Sequence, residues 1–220
     1  MDMTCGLRQE EAADSGCCGM VFLYDLTLPE ILRRILALLI HAGMQGGILA
    51  MVLTLMGDPR PRESGRFSFN PFRHVLLSGI FLGIAFRMSW IEPMPFAPAN
   101  DRMTRLRPLL AVLLSFALLL AFVPLLDLAR APLHAALPRT MGYMTLASID
   151  TLQFMLAGSV MLGLLPLPGL LVGTALPSIF PAIAKRYCKL APIGMALAAI
   201  LVILGWFPDV KPVVRALRLV

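Results

Sequence analysis

The chain has 220 residues, 58% of them hydrophobic and 15% charged, with a formal net charge of +6. That leaves too little polar surface to cover a water-soluble globule and predicts a chain solvated by lipid. Nor is the basic balance a nucleic-acid footprint, because the cations sit in short loops between apolar runs, as Lys and Arg do beside membrane segments.

In chain order, residues 1–28 begin with Asp2, Glu10, Glu11 and Asp14 against Arg8 and hold no apolar signal-peptide core, so a mobile acidic tail is predicted. Cys5, Cys17, Cys18 and the distant Cys188 show no paired Cys-x-x-Cys spacing, which predicts neither a metal site nor a disulfide framework. Residues 35–56 are the first membrane span, about 22 residues long, enough at roughly 1.5 Å per residue to cross a core of about 30 Å. A polar, basic stretch, 57–74, follows. Residues 75–90 are apolar but interrupted by Arg87 and only about 16 long, so a fifth span here is tilted or re-entrant, with Arg87 and Trp90 as interface anchors. Residues 109–126, 145–165 and 190–207 are further spans. The stretch 167–184, broken by Pro168, Pro177 and Pro181, is a short helix or a re-entrant loop. The expected fold is therefore an all-α polytopic membrane protein with five to six transmembrane or re-entrant segments, a membrane domain at 29–207 and a basic tail at 208–220.

The basic clusters are Arg60, Arg62, Arg66 and Arg73, then Arg102, Arg105 and Arg107, then Lys185, Arg186 and Lys189. Lys and Arg in short loops favour the cytoplasmic side, which is where 57–74 is expected. If the first two clusters share a side, residues 75–90 must dip in and return. Small residues four apart recur at Ala42/Gly46, Gly43/Gly47, Gly79/Gly83 and Gly169/Gly173, and such pairs let helix backbones approach, within the chain or against a partner helix. Among polar residues near the bilayer, His41 and Gln45 are one turn apart and predict a buried hydrogen-bonded pair. Asp150, with Ser148, is expected to start a helix at the interface.

The polar stretch carries a pattern. Gly57-Asp58-Pro59, Gly65-Arg66, Asn70-Pro71 and His74 resemble the segment that follows the zinc-binding helix in small bacterial site-2 protease homologues, which are intramembrane zinc metalloproteases. Trp90-Ile91-Glu92-Pro93-Met94-Pro95 is similar to the family's Trp-Ala-Lys-Pro-Val-Pro run, with Glu92 in place of Lys. Ala184-Lys185-Arg186-Tyr187, Leu190 and Gly194 resemble the amphipathic segment before its last span. The resemblance covers roughly residues 29–207. It implies a site-2 protease-like fold with a short β-hairpin-like loop beside the site, whose edge at Arg66, Phe67, Phe69 and Asn70 pairs with an extended partner segment.

The catalytic residues implied by the same resemblance are missing. The family's His-Glu-x-x-His helix, whose histidines ligate zinc and whose Glu is the general base, falls on Gln45-Gly46-Gly47-Ile48-Leu49. Placing the motif on His41-Ala42-Gly43-Met44-Gln45 requires an insertion and still lacks the base and the second ligand. The late Pro-x-Pro-Pro-Leu-Asp-Gly run that supplies a carboxylate is Pro166-Leu167-Pro168-Gly169-Leu170-Leu171-Val172, with Leu171 for Asp. The family's Ala-Gly-Pro-x-x-Asn element becomes Leu114-Ser115-Phe116-Ala117-Leu118-Leu119. The expectation is a pseudo-protease with no metal and no other cofactor, retained to bind integral membrane proteins. It would serve as an accessory or assembly subunit of a respiratory or photosynthetic complex in a bacterial inner membrane, with Gly43 and Gly47 as part of the binding face. The alternative is an active protease with an unusual zinc set, His41, His74 and Asp150. A transporter is disfavoured, since too few polar residues fall at mid-membrane.

Overall fold

A computed structural model describes residues 27–94, 96 and 102–218. The acidic tail and its three cysteines lie outside the described residues. The chain is helical throughout the described part: α1 is Leu28–Leu55, α2 Arg60–Glu63, α3 Leu77–Phe86, α4 Arg102–Leu128 and α5 Arg130–Ala136. There follow α6 at Arg139–Gly163, α7 at Leu171–Ile179, α8 at Pro181–Lys189, α9 at Ala191–Ile203 and α10 at Lys211–Leu217. Three helices are long and apolar enough to cross a membrane, Leu28–Leu55, Thr104–Ala136 (α4 continued by α5) and Arg139–Gly163, so the chain is a helical membrane protein. The expected five to six spans are not matched by as many long helices. α3 has 10 residues and α9 has 13, about 15 and 20 Å at 1.5 Å per residue, short of a hydrocarbon core.

α1 is the centre of the bundle, packed on α4, α6, α3 and the 3-10 turn Pro71–Arg73. Its face toward the core is lined by Leu38, Ala42, Leu49 and Leu53, which join Phe116, Leu119 and Val123 of α4 and Leu152, Met155 and Leu156 of α6 in one apolar cluster. α4 and α6 run antiparallel: Gln153 donates through Nε2 to the Val123 carbonyl at 2.9 Å, while Gly163 lies against the Phe116 ring. α7 then returns along α4, where Ser178 Oγ donates to the Arg105 carbonyl at 3.0 Å. Gly57, at the end of α1, faces the Arg107 side chain, so Arg60 and Arg66 share one end of the bundle with Arg105 and Arg107.

The segment 75–91 does not cross as a fifth span. Val75 and Ile91 form an antiparallel bridge, and the Glu92 amide donates to the His74 carbonyl at 2.8 Å, so the two ends of α3 are tied together and the chain dips in and returns. The reason is visible in Gly79, where any β-carbon would come within 2.5 Å of the Trp90 carbonyl oxygen. Only glycine lets the returning strand lie this close. Trp90 is buried, with its ring nitrogen donating to Ser78 Oγ, and is not the interface anchor expected from its spacing after Arg87. The bridge is the only β pairing among the described residues, and no β-hairpin forms at 66–70.

Far from the basic end, α3 stops in a charge cluster. Arg87 adopts the left-handed conformation at φ 56° and pairs with Glu30 at 2.7 Å. Glu30 also binds Arg33 at 2.6 Å and Arg34 at 3.0 Å. Arg34, almost wholly buried, spends its remaining donors on the Ile84 and Ala85 carbonyls, the orphan acceptors at the end of α3. Asp150 is a second centre. It sits within α6, not at its start, and accepts from Arg130 of α5 at 2.5 Å and from Arg218 just after α10, which corrects the helix-start expectation. The 208–220 region therefore includes a docked helix, held by Val210 and Val214 against Ala157 as well as by Arg218.

Glu30 compensates three arginines, so removing it leaves Arg34 and Arg87 short of their counter-charge in a desolvated site. Glu30→Ala should destabilise by about 3 kcal/mol, seen as a lowered melting temperature in detergent. Removing the exposed Glu63 should change it by under about 0.5 kcal/mol.

Candidate functional site

The residues singled out in the sequence gather where the polar segment 57–74 lies back along α1. After Gly57, α2 and a turn at Gly65 reverse the chain, and both glycines hold positive φ, 88° and 66°. Asp58 anchors the start by gripping Arg60, Nε to Oδ1 at 2.8 Å and Nη2 to Oδ2 at 2.5 Å. Burial alone would raise the Asp58 pKa, but the Arg60 hydrogen bonds outweigh it and hold the carboxyl below its ordinary value. Asn70 Oδ1 accepts from the Phe72 amide at 3.1 Å and starts the 3-10 turn, which delivers His74 into the bundle.

The small residues of α1 receive this segment. At Gly43 a β-carbon would lie 2.6 Å from the Phe69 carbonyl oxygen; at Gly46 it would overlap the His74 imidazole, and at Gly47 the Phe69 ring. Gly43 and Gly47, whose spacing suited packing within the chain or against a partner helix, face the chain's own loop. The reason is size: a strip without β-carbons is the one place on α1 where an aromatic ring and a backbone carbonyl fit at contact distance. Gly83 and Gly173 likewise meet Leu38 and the Leu167 carbonyl within the chain.

His74 is fully buried. Its Nε2 lies 2.9 Å from the Ser68 carbonyl, so that nitrogen carries the proton and donates, while Nδ1 has no partner. Burial lowers the His74 pKa below its ordinary value and outweighs the Ser68 carbonyl, which would raise it. His41 and Gln45 are also buried on α1, as their spacing suggested, and Gln45 is the side chain that interacts with the His41 imidazole, in a geometry short of a well-formed hydrogen bond. Both His41 nitrogens and Gln45 Oε1 lack a partner of acceptable geometry.

The residues expected to pair with a partner strand do other work. Arg66 binds Glu92 at 2.5 Å and the Pro93 carbonyl at 3.2 Å, joining the two arms of the re-entrant segment; sequence spacing gave no sign of this pair, 26 residues apart. The Phe67 amide donates to the Pro61 carbonyl, that of Ser68 to Arg66, and that of Asn70 to Ser68 Oγ, so the amides of Phe67, Ser68 and Asn70 are already used within the chain. What this segment presents outward is a row of rings: Phe67, 48% exposed with Arg62 5.3 Å above it, Phe69 at 61% and Phe72 at 78%. Phe72 was not singled out in the sequence, because the strand reading assigned no role beyond Asn70.

The positions that the sequence resemblance assigned to ligands and base also have definite places. Gln45 and Gly46 are buried, and Leu49 and Leu171 fall in the same apolar cluster as Phe116 and Leu119, so three helices distant in sequence contribute to one apolar core. His41, His74 and Asp150 do not assemble, and no group of three or more His, Cys, Asp or Glu side chains suited to a metal exists among the described residues. Comparison with protein-family models, with characterised proteins and with solved structures returns no match.

Two outcomes follow. Gly46→Ala should cost about 1–3 kcal/mol from overpacking on His74, and adding His74→Ala should recover part of it; a double-mutant cycle of melting temperatures in detergent measures the coupling. Because the folded state holds His74 neutral, the unfolded chain takes up its proton at higher pH. His74 therefore supports stability fully above its ordinary value of 6.5 and progressively less as pH falls below it. Melting temperature should drop between pH 6.5 and 5, and His74→Asn should flatten that drop.

Proposed function

We propose that this chain is a non-catalytic membrane protein built on a site-2 protease-like plan and retained for binding other integral membrane proteins. It acts as an accessory or assembly subunit of an energy-transducing complex, respiratory or photosynthetic, in a bacterial inner membrane. One observation supports the reading: the positions that the resemblance assigns to zinc and the general base hold Gln45, Gly46, Leu49 and Leu171, of which the two leucines lie in the apolar core and the space at Gly46 is filled by the chain's own His74. A hydrolytic zinc site needs three protein donors and an open position for water. Glycine and leucine supply no donor, and the ring supplies no opening.

Binding is supported by the outward row of Phe67, Phe69 and Phe72, because contiguous exposed rings on an otherwise polar segment mark an interaction surface. Phe67 rises from the Arg-rich loop at the end that also carries Arg105 and Arg107, which the positive-inside preference puts on the cytoplasmic side, and Phe69 continues the row from there along the glycine strip of α1. The partner is engaged by side chains and not by an added strand, since the amides of Phe67, Ser68 and Asn70 are bonded within the chain.

The test is recovery of the full chain from native membranes in mild detergent. A stoichiometric membrane-protein partner is expected, and Phe67→Ala with Phe72→Ala should cut its recovery at least tenfold (roughly 1.4 kcal/mol or more) while leaving the melting temperature unchanged. Recovery of the chain alone overturns the proposal, as does partner recovery indifferent to both substitutions.

A further inference from the structure

At the basic end, α7, α8, Pro93, Met94 and Phe96 border a cavity of about 530 Å³, within the roughly 300–1,000 Å³ range of small-molecule sites. Its walls include Met94, Phe96, Pro177, Ala184, Tyr187 and Ala191. Three hydroxyls also border it, and each is already committed to a backbone carbonyl. Thr174 Oγ1 donates to Leu171 at 2.9 Å, Ser178 Oγ shares its one proton between Ala175 at 2.6 Å and Arg105 at 3.0 Å, and Tyr187 Oη donates to Pro166. An occupant therefore finds a wall with its hydroxyl protons spent, which suits hydrocarbon and disfavours a sugar or a nucleotide.

The rim is different. Lys185 borders the cavity, is exposed, and has no carboxylate within ion-pair distance among the described residues. Arg186 and Lys189 stand on the same helix. The two acids nearby are neutralised: Glu92 by Arg66, and Asp58, which lines an adjoining cavity sharing Met94 and Phe96, by Arg60. α8 thus combines an apolar side over the cavity with uncompensated cations at its edge, the pattern of a helix lying in the plane of an anionic leaflet.

We propose that this cavity is a lipid site, which takes one acyl chain of an anionic phospholipid whose phosphate pairs with Lys185. Charge selects the phospholipid, and the spent hydroxyls select the hydrocarbon. The inference does not rest on the pseudo-protease reading, since it uses none of the ligand positions or the aromatic row.

Cys188 lines the same cavity and is a free thiol, so its alkylation reports occupancy. The full chain is reconstituted in nanodiscs of phosphatidylcholine alone or with one third phosphatidylglycerol, and maleimide labelling of the Cys188 peptide is followed by mass spectrometry, which separates it from Cys5, Cys17 and Cys18. Labelling should be at least tenfold slower with phosphatidylglycerol. Lys185→Gln should abolish the difference, Lys185→Arg should keep it, and Ala184→Trp, which fills the cavity, should make labelling insensitive to lipid with Lys185 still present. Equal rates in the two lipids overturn the proposal. So does a difference that survives Lys185→Gln, or a bound peptide in place of lipid when the purified chain is analysed by native mass spectrometry.

Discussion

The close approach of the 69–74 segment to the glycine strip of α1 is the constraint on which the rest of the arrangement depends. Gly43, Gly46 and Gly47 let a carbonyl, an imidazole and a phenyl ring lie directly on the helix backbone, at distances no β-carbon would permit. Once His74 is seated there, the chain is already deep in the bundle, and α3 can continue to the level of Glu30 with only ten residues. The return is fixed by the same event, since the His74 carbonyl takes the Glu92 amide and Val75 pairs with Ile91. A short apolar helix that cannot span the bilayer alone is thereby carried across much of the bundle by extended backbone on either side. Irregular backbone survives at that depth because protein covers it and its polar groups are paired internally.

Charge placement completes this arrangement. Burying Arg34 beside the bundle is costly unless each donor has an acceptor. Glu30 and the last carbonyls of α3 provide them, so the guanidinium both closes the helix end and locks α3 to α1. Arg66 does the corresponding work at the other end of the re-entrant segment, through Glu92 and the Pro93 carbonyl. The two arginines hold the segment like clasps, one at its tip and one at its mouth.

Much of this was legible in the sequence, and the limits have physical causes. Hydropathy found the three long helices because about 20 apolar residues in a row have few other uses. The glycine spacings were legible as close-approach sites, but spacing cannot say whether a helix or a loop will approach, and here loops and turns fill most of them. Residues 66–70 read as a strand because aromatic and polar residues alternate; Gly65 and Pro71 instead force turns on either side, and the amides turn inward to Pro61 and Ser68. Asp150 read as a helix start because Asp, like the neighbouring Ser148, is a good N-cap residue. Its partners, Arg130 and Arg218, come from α5 and the chain's end, and such long-range pairs leave no mark in local composition. That Leu49, Phe116, Leu119 and Leu171 join one apolar cluster was likewise invisible, since they stand on three helices distant in sequence.

The core beside the glycine strip is closed by packing. Leu49, Leu171, Phe116 and Leu119 belong to one apolar cluster, where a buried polar group without a partner would cost about 1–3 kcal/mol. Gly46 adds to the closure, because any side chain there would occupy the same volume as the His74 ring. The unpartnered polar atoms on this side of α1 belong to His41, Gln45 and His74, side chains whose uncharged forms are cheaper to bury than a carboxylate or an ammonium. A core closed in this way leaves binding to what surrounds it, the exposed rings of 67–72 and the cavity and cations of the basic end.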